Sequence, residues 1–78
     1  MNLEKYNGAF FTAFKLSEAQ LGEKLEYQSI PEWDSVGHMS LIAELEDAFD
    51  IMMDTEDIIV LSSYEKGKEI LRKYDVEI

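Results

Sequence analysis

The chain has 78 residues, 46% of them hydrophobic and 12% aromatic, with 7 Lys+Arg against 17 Asp+Glu and a formal net charge of −10. That length makes one small domain, 1–78, with a thin core and no room for a cleft between two halves. The charge argues against nucleic acid and anionic membranes as partners, the apolar content against a disordered acidic tail, and the lack of cysteine against disulfides, thiolate metal sites and a cysteine nucleophile.

The opening Met1-Asn2-Leu3-Glu4-Lys5 has no basic start leading into a long apolar run. No apolar stretch approaches the roughly 18 residues of a membrane span. A soluble, cytoplasmic domain is the expectation.

The first predicted helix covers about Leu3 to Leu16, where Leu3, Tyr6, Phe10, Ala13 and Phe14 recur at steps of three and four. Gly8 weakens it by about 1 kcal/mol relative to Ala. From Ser17 to Asp34 the pattern is irregular, a long first loop. Leu21, Leu25, Tyr27 and Ile30 can still drop apolar anchors into the core, and Trp33 is expected to hold the loop against the bundle. The single proline, Pro31, disfavours helix at Ile30.

The second helix opens at Asp34-Ser35 and runs to about Phe49, with Asp34 as N-cap. Val36, Met39, Ile42, Leu45 and Phe49 form its expected apolar stripe, with Ala43 alongside. A short helix follows from about Thr55 to Val60, capped by Asp54. Its run Ile58-Ile59-Val60-Leu61 also reads as a buried strand, but no partner strand is in view. The last helix runs from about Tyr64 to Tyr74, and Ser62 and Glu65 stand at capping-box spacing. Three longer helices and one short third helix make an all-α, four-helix bundle the simplest architecture.

The charge is unevenly placed. Between Leu25 and Glu65 there is no Lys or Arg, and eleven carboxylates fall there, including Glu46, Asp47, Glu56 and Asp57. A solvated face is one reading. A docking face for basic partners is the other, and a surface of one sign favours it. The stretch from Asp50 to Asp57 lacks the ligand order and central glycine of a calcium-binding loop.

The most informative stretch is Trp33-Asp34-Ser35-Val36-Gly37-His38-Met39. Ser35 falls in a first helical turn, where outward N–H groups and the helix dipole favour a phosphate ester. Gly37 leaves the approach to Ser35 open, or makes a tight helix contact. Alternatively Ser35 is only a cap. His38 is read as a surface residue or a contact for whatever Ser35 carries. Asp34, Ser35 and His38 supply the residue types of a hydrolase triad, but Asp34 would face the helix start rather than the imidazole, and no nucleophile elbow is present. No metal site is expected of a lone histidine.

Asp34-Ser35-Val36 opening a helix that continues as Ser40-Leu41-Ile42-Ala43-Glu44-Leu45-Glu46-Asp47-Ala48-Phe49-Asp50 resembles the acyl carrier protein family, over about Ile30 to Leu71. The resemblance implies a non-catalytic carrier. A phosphopantetheinyl transferase would attach 4'-phosphopantetheine from coenzyme A to Ser35, and the arm's thiol would carry acyl groups as thioesters between enzymes of fatty-acid, polyketide or related biosynthesis. It places Asp34, Gly37 and His38 beside the arm. It implies docking through Asp34, Glu46, Asp47, Glu56 and Asp57 to the basic patches of acyl-loading and acyl-transfer enzymes, by a monomer. Val36 replaces the family's usual leucine, and Ser40 replaces an acidic residue. Docking at that end is therefore expected to differ from that of fatty-acid carriers. An aminoacyl or peptidyl carrier, and an arm-less acidic interaction module, are the alternatives.

Overall fold

The computed structural model describes residues 2–22 and 24–78. Four α-helices follow one another: α1 (Asn2–Phe14), α2 (Ser35–Phe49), α3 (Thr55–Val60) and α4 (Tyr64–Arg72). Among the described residues there is no strand, only one antiparallel bridge between Glu26 and Ser63. The all-helical expectation therefore holds, and the strand reading of Ile58 to Leu61 does not. No helix among them is long and apolar enough to cross a membrane.

α1 turns Tyr6, Ala9, Phe10 and Phe14 inward at helical spacing, while Leu3 is exposed. The helix stops at Phe14, short of the expected Leu16. Lys15 adopts a left-handed conformation there (φ 57°) and its N–H closes on the Phe11 carbonyl at 2.8 Å. Leu16 nevertheless packs against the core from outside the helix. One 3-10 turn at Glu18–Gln20 interrupts the first loop; Ser17 and Gln20 stand at capping-box spacing there, with the Ser17 N–H donating to Gln20 Oε1 at 3.0 Å, a signal that apolar periodicity does not read.

The rest of that loop is anchored twice. Trp33 is fully buried against Phe10 and Phe14, with ring centroids 5.6 and 5.1 Å away. Leu25 is buried too, and its carbonyl accepts from the Tyr64 N–H at 2.9 Å while the Tyr27 N–H donates to the Ser62 carbonyl at 2.8 Å. These bonds satisfy loop backbone that would otherwise be costly to bury.

α2 begins where expected, and the expected stripe holds at Ile42, Leu45 and Phe49 but not in its first turn. Leu41, Ile42 and Leu45 are buried, whereas Val36 is 74% and Met39 55% exposed, and Ala43 also faces solvent. The inward line starts at Gly37 and His38, both half-buried. Apolar periodicity passes over a glycine and a histidine, so it puts Val36 and Met39 in the places that Gly37 and His38 occupy.

The remaining caps divide similarly. Asp54 stands at the N-cap of α3, but its side chain makes no capping bond. α4 is capped by Ser63, whose Oγ accepts from the Lys66 N–H at 3.0 Å, rather than by Ser62. α4 buries Tyr64, Gly67, Ile70 and Leu71 and ends at Arg72, before the expected Tyr74. The core joins an aromatic group (Tyr6, Phe10, Phe14, Trp33, Tyr64) to an aliphatic one (Leu41, Leu45, Leu61, Leu71). Tyr6 donates a hydrogen bond to the Tyr64 carbonyl at 2.5 Å, and burial pushes its hydroxyl far above the usual phenol range.

Candidate functional site

Ser35 is the first residue of α2 and is exposed. The capping bond comes from Asp34, whose Oδ1 accepts from the Gly37 N–H at 2.8 Å. The cap position is thus filled by the preceding residue, and the helix start does not depend on the Ser35 hydroxyl. Reading Ser35 as only a cap therefore fails on geometry.

Gly37 does not open the approach to Ser35. A Cβ placed on it would overlap the Glu32 carbonyl oxygen and stand 3.2 Å from Phe14 Cε1. The missing side chain lets the loop cross close over α2, which is the tight-contact alternative.

His38 proves to be a joint between three segments. The indole N–H of Trp33 can only donate, and it gives its proton to His38 Nδ1 at 3.0 Å. His38 Nε2 must then carry the ring proton, which it donates to the Ile58 carbonyl at 2.7 Å. The imidazole also stacks on Trp33 and meets the edge of Tyr27. With both ring nitrogens engaged, it cannot act as a base toward Ser35. The Asp34 carboxylate is turned to Gly37, so Asp34, Ser35 and His38 do not assemble as a triad.

Beside Ser35 lies an open groove of about 410 Å³. Met39, Ile58, Ile59 and Leu61 supply its apolar lining, with Tyr27, His38 and Ser62 as the polar-edged remainder. The groove lies between the start of α2 and the side of α3. Sequence reasoning placed His38 here but missed Tyr27 and Ser62, because only the backbone pairing of Tyr27 with Ser62 brings those two segments alongside.

The four expected docking carboxylates part company. Asp47 and Glu56 are exposed. Glu46 is half-buried, and its Oε2 accepts from the Met53 N–H at 3.0 Å, holding the turn after α2. Asp57 is only 4% exposed. It accepts from Lys73 Nζ at 2.6 Å and from the Tyr74 hydroxyl at 2.5 Å. The Lys73 hydrogen bond, reinforced by that of Tyr74, holds the Asp57 carboxyl below its ordinary value, and the same contact raises Lys73. Asp57 is therefore a strut between α3 and the end of α4 and does not face a partner, contrary to the expectation. The one-sign stretch is also partly neutralised from outside itself, by Lys73.

Groups of three or more His, Asp or Glu side chains able to hold a metal ion are absent among the described residues. Comparison with family models, with curated proteins and with solved structures finds no match to this chain.

Proposed function

We propose that this chain is a carrier protein of the acyl carrier type, with Ser35 as the attachment point of a 4'-phosphopantetheine arm. The observation that carries the reading is an exposed hydroxyl at the first residue of α2, released from capping by Asp34 and opening onto an apolar groove. Loading is a phosphoryl-type transfer. Ser35 Oγ forms a bond to the β-phosphorus of coenzyme A as the pyrophosphate bridge breaks, 3',5'-adenosine bisphosphate departs, and the hydroxyl proton passes to the transferase's base.

The residues present suit such a group. The diester would lie at a helix start, where the dipole favours an anion. The apolar lining from Met39, Ile58 and Leu61 suits the aliphatic part of a cargo. The arm supplies a thiol, which holds acyl groups as thioesters. The chain's own part is to present the hydroxyl, hold α3 as the groove wall through His38, and offer exposed Asp47 and Glu56 to basic enzymes.

Intact-mass measurement after incubation with coenzyme A and a broad-specificity phosphopantetheinyl transferase tests this. The wild type should gain the mass of one phosphopantetheine and Ser35→Ala none. No gain on wild type, or a gain that survives Ser35→Ala, refutes the assignment.

A further inference from the structure

The groove beside Ser35 and the core behind it share a wall. Leu61 is fully buried in the core cluster, yet it also lines the groove. Ile58, half-buried, packs against the core and lines the groove as well. His38 lines the groove and stacks on Trp33, which is itself fully buried against Phe10 and Phe14. A chain leaving Ser35 for the interior therefore meets His38, Ile58 and Leu61 first, and Trp33 behind them.

That wall is bolted. The Trp33 indole N–H donates to His38 Nδ1 at 3.0 Å, and His38 Nε2–H donates to the Ile58 carbonyl at 2.7 Å. Ile58 stands in the last turn of α3, where carbonyls have no partner within the helix. Parting α3 from α2 strips the Ile58 carbonyl of its donor. Moving Trp33 aside strips the indole N–H of its acceptor. An aliphatic chain has no hydrogen bond to offer in return, so both losses stay uncompensated.

Resting on the carrier reading of Ser35, we propose that His38 determines the cargo class: it keeps the acyl chain in the groove and out of the core, so this carrier holds short acyl groups. A dry apolar cavity of about 150 Å³ takes one benzene. On that scale the groove, at about 410 Å³, has room for about sixteen non-hydrogen atoms of arm and cargo together. Its apolar lining is confined to Met39, Ile58, Ile59 and Leu61. A long chain outruns that lining into water and gains nothing from its added methylenes.

The test is a chain-length series. Butanoyl, octanoyl and dodecanoyl thioesters are loaded on Ser35 from the matching acyl-coenzyme A by a broad-specificity transferase, and intact mass checks each product. Between butanoyl and dodecanoyl the wild-type melting temperature should move by less than about 2 °C. Emission from Trp33, the only tryptophan, and the rate of thioester cleavage by hydroxylamine should stay constant too. In His38→Ala the dodecanoyl form should melt about 5 °C or more above the butanoyl form, as methylenes enter the core, and should cleave more slowly. A merely structural loss at residue 38 lowers every member of the series alike. Trp33→Phe, which keeps a ring in the core but removes the donor, should show the same length dependence, and the wild-type series decides the matter even where a variant fails to fold.

A wild type whose melting temperature climbs with chain length, or whose Trp33 emission shifts with dodecanoyl, overturns the proposal and leaves Ser35 as the attachment point. Folded variants as indifferent to length as the wild type overturn the role of His38. A wild type that gains no mass overturns the Ser35 reading itself, and the cargo class with it.

Discussion

Two helical glycines should respond to the same substitution with opposite signs. Around Gly8, in the middle of α1, an added Cβ meets nothing within 4 Å. Gly8→Ala therefore gains the helix preference of alanine, about 0.5–1 kcal/mol, with nothing set against it. At Gly37 the added carbon would overlap the Glu32 carbonyl and crowd Phe14. The obstacle is main chain, in a loop pinned next door by fully buried Trp33, so it cannot swing away like the tip of a surface side chain. Overpacking of this kind costs about 1–3 kcal/mol, less the same helix gain of up to about 1 kcal/mol. The net loss is about 1–2 kcal/mol. At about 4–8 °C per kcal/mol for a domain this size, Gly37→Ala should melt about 5–15 °C lower than wild type, and Gly8→Ala about 2–8 °C higher. Circular dichroism at the helix band, on heating and in urea, reads both. A Gly37→Ala protein that melts at or above wild type would refute the close crossing of loop and helix.

Two further substitutions probe the struts that hold α3. Asp57→Asn should lower the melting temperature at neutral pH by removing the negative charge that pairs with Lys73 and replacing one of the two acceptor oxygens used by Lys73 and Tyr74 with a donor. The native Asp57 carboxyl lies below its ordinary value, so its stabilisation is complete above about pH 4 and fades as pH falls through the native value. Lys73 lies above its ordinary value, so its share persists below about pH 10 and fades as pH rises through the native value. The gap between wild type and Asp57→Asn should thus be widest between those limits and close in acid; a gap independent of pH would contradict the pairing. His38→Phe keeps a ring in place but leaves the Trp33 indole N–H without its acceptor, at about 1–3 kcal/mol. Amide exchange at Ile59 to Leu61 should quicken with it, and unchanged exchange there would show that the Ile58 bond does not hold α3.

Element order and helix starts were legible because they rest on local chemistry. Asp34 before an apolar run announces the start of α2 through groups only a few residues apart, and the serine pair before Tyr64 announces that of α4, with the cap falling on Ser63 rather than on the expected Ser62. Trp33 was read as an anchor because so large an aromatic in a polar loop has few other uses. What escaped was decided across the chain. The inward face of α2 starts on Gly37 and His38, whose places are set by the Glu32 carbonyl, Trp33 and Ile58. Asp57 read as surface charge because its partners, Lys73 and Tyr74, come from the far end of the sequence. The groove likewise depends on Tyr27 meeting Ser62, which no periodicity encodes.

The pairing of Leu25 and Tyr27 with Ser62 and Tyr64 has a mechanical consequence. It joins the entry and exit strands of chain that flank α2 and α3, so these two helices form a closed lobe whose neck is a pair of backbone bonds. That neck lies beside the aromatic contacts among Tyr6, Phe10 and Tyr64, and Leu41, Ile42 and Leu45 of α2 share the same core, so the closure of the chain and the packing of its helices support one another.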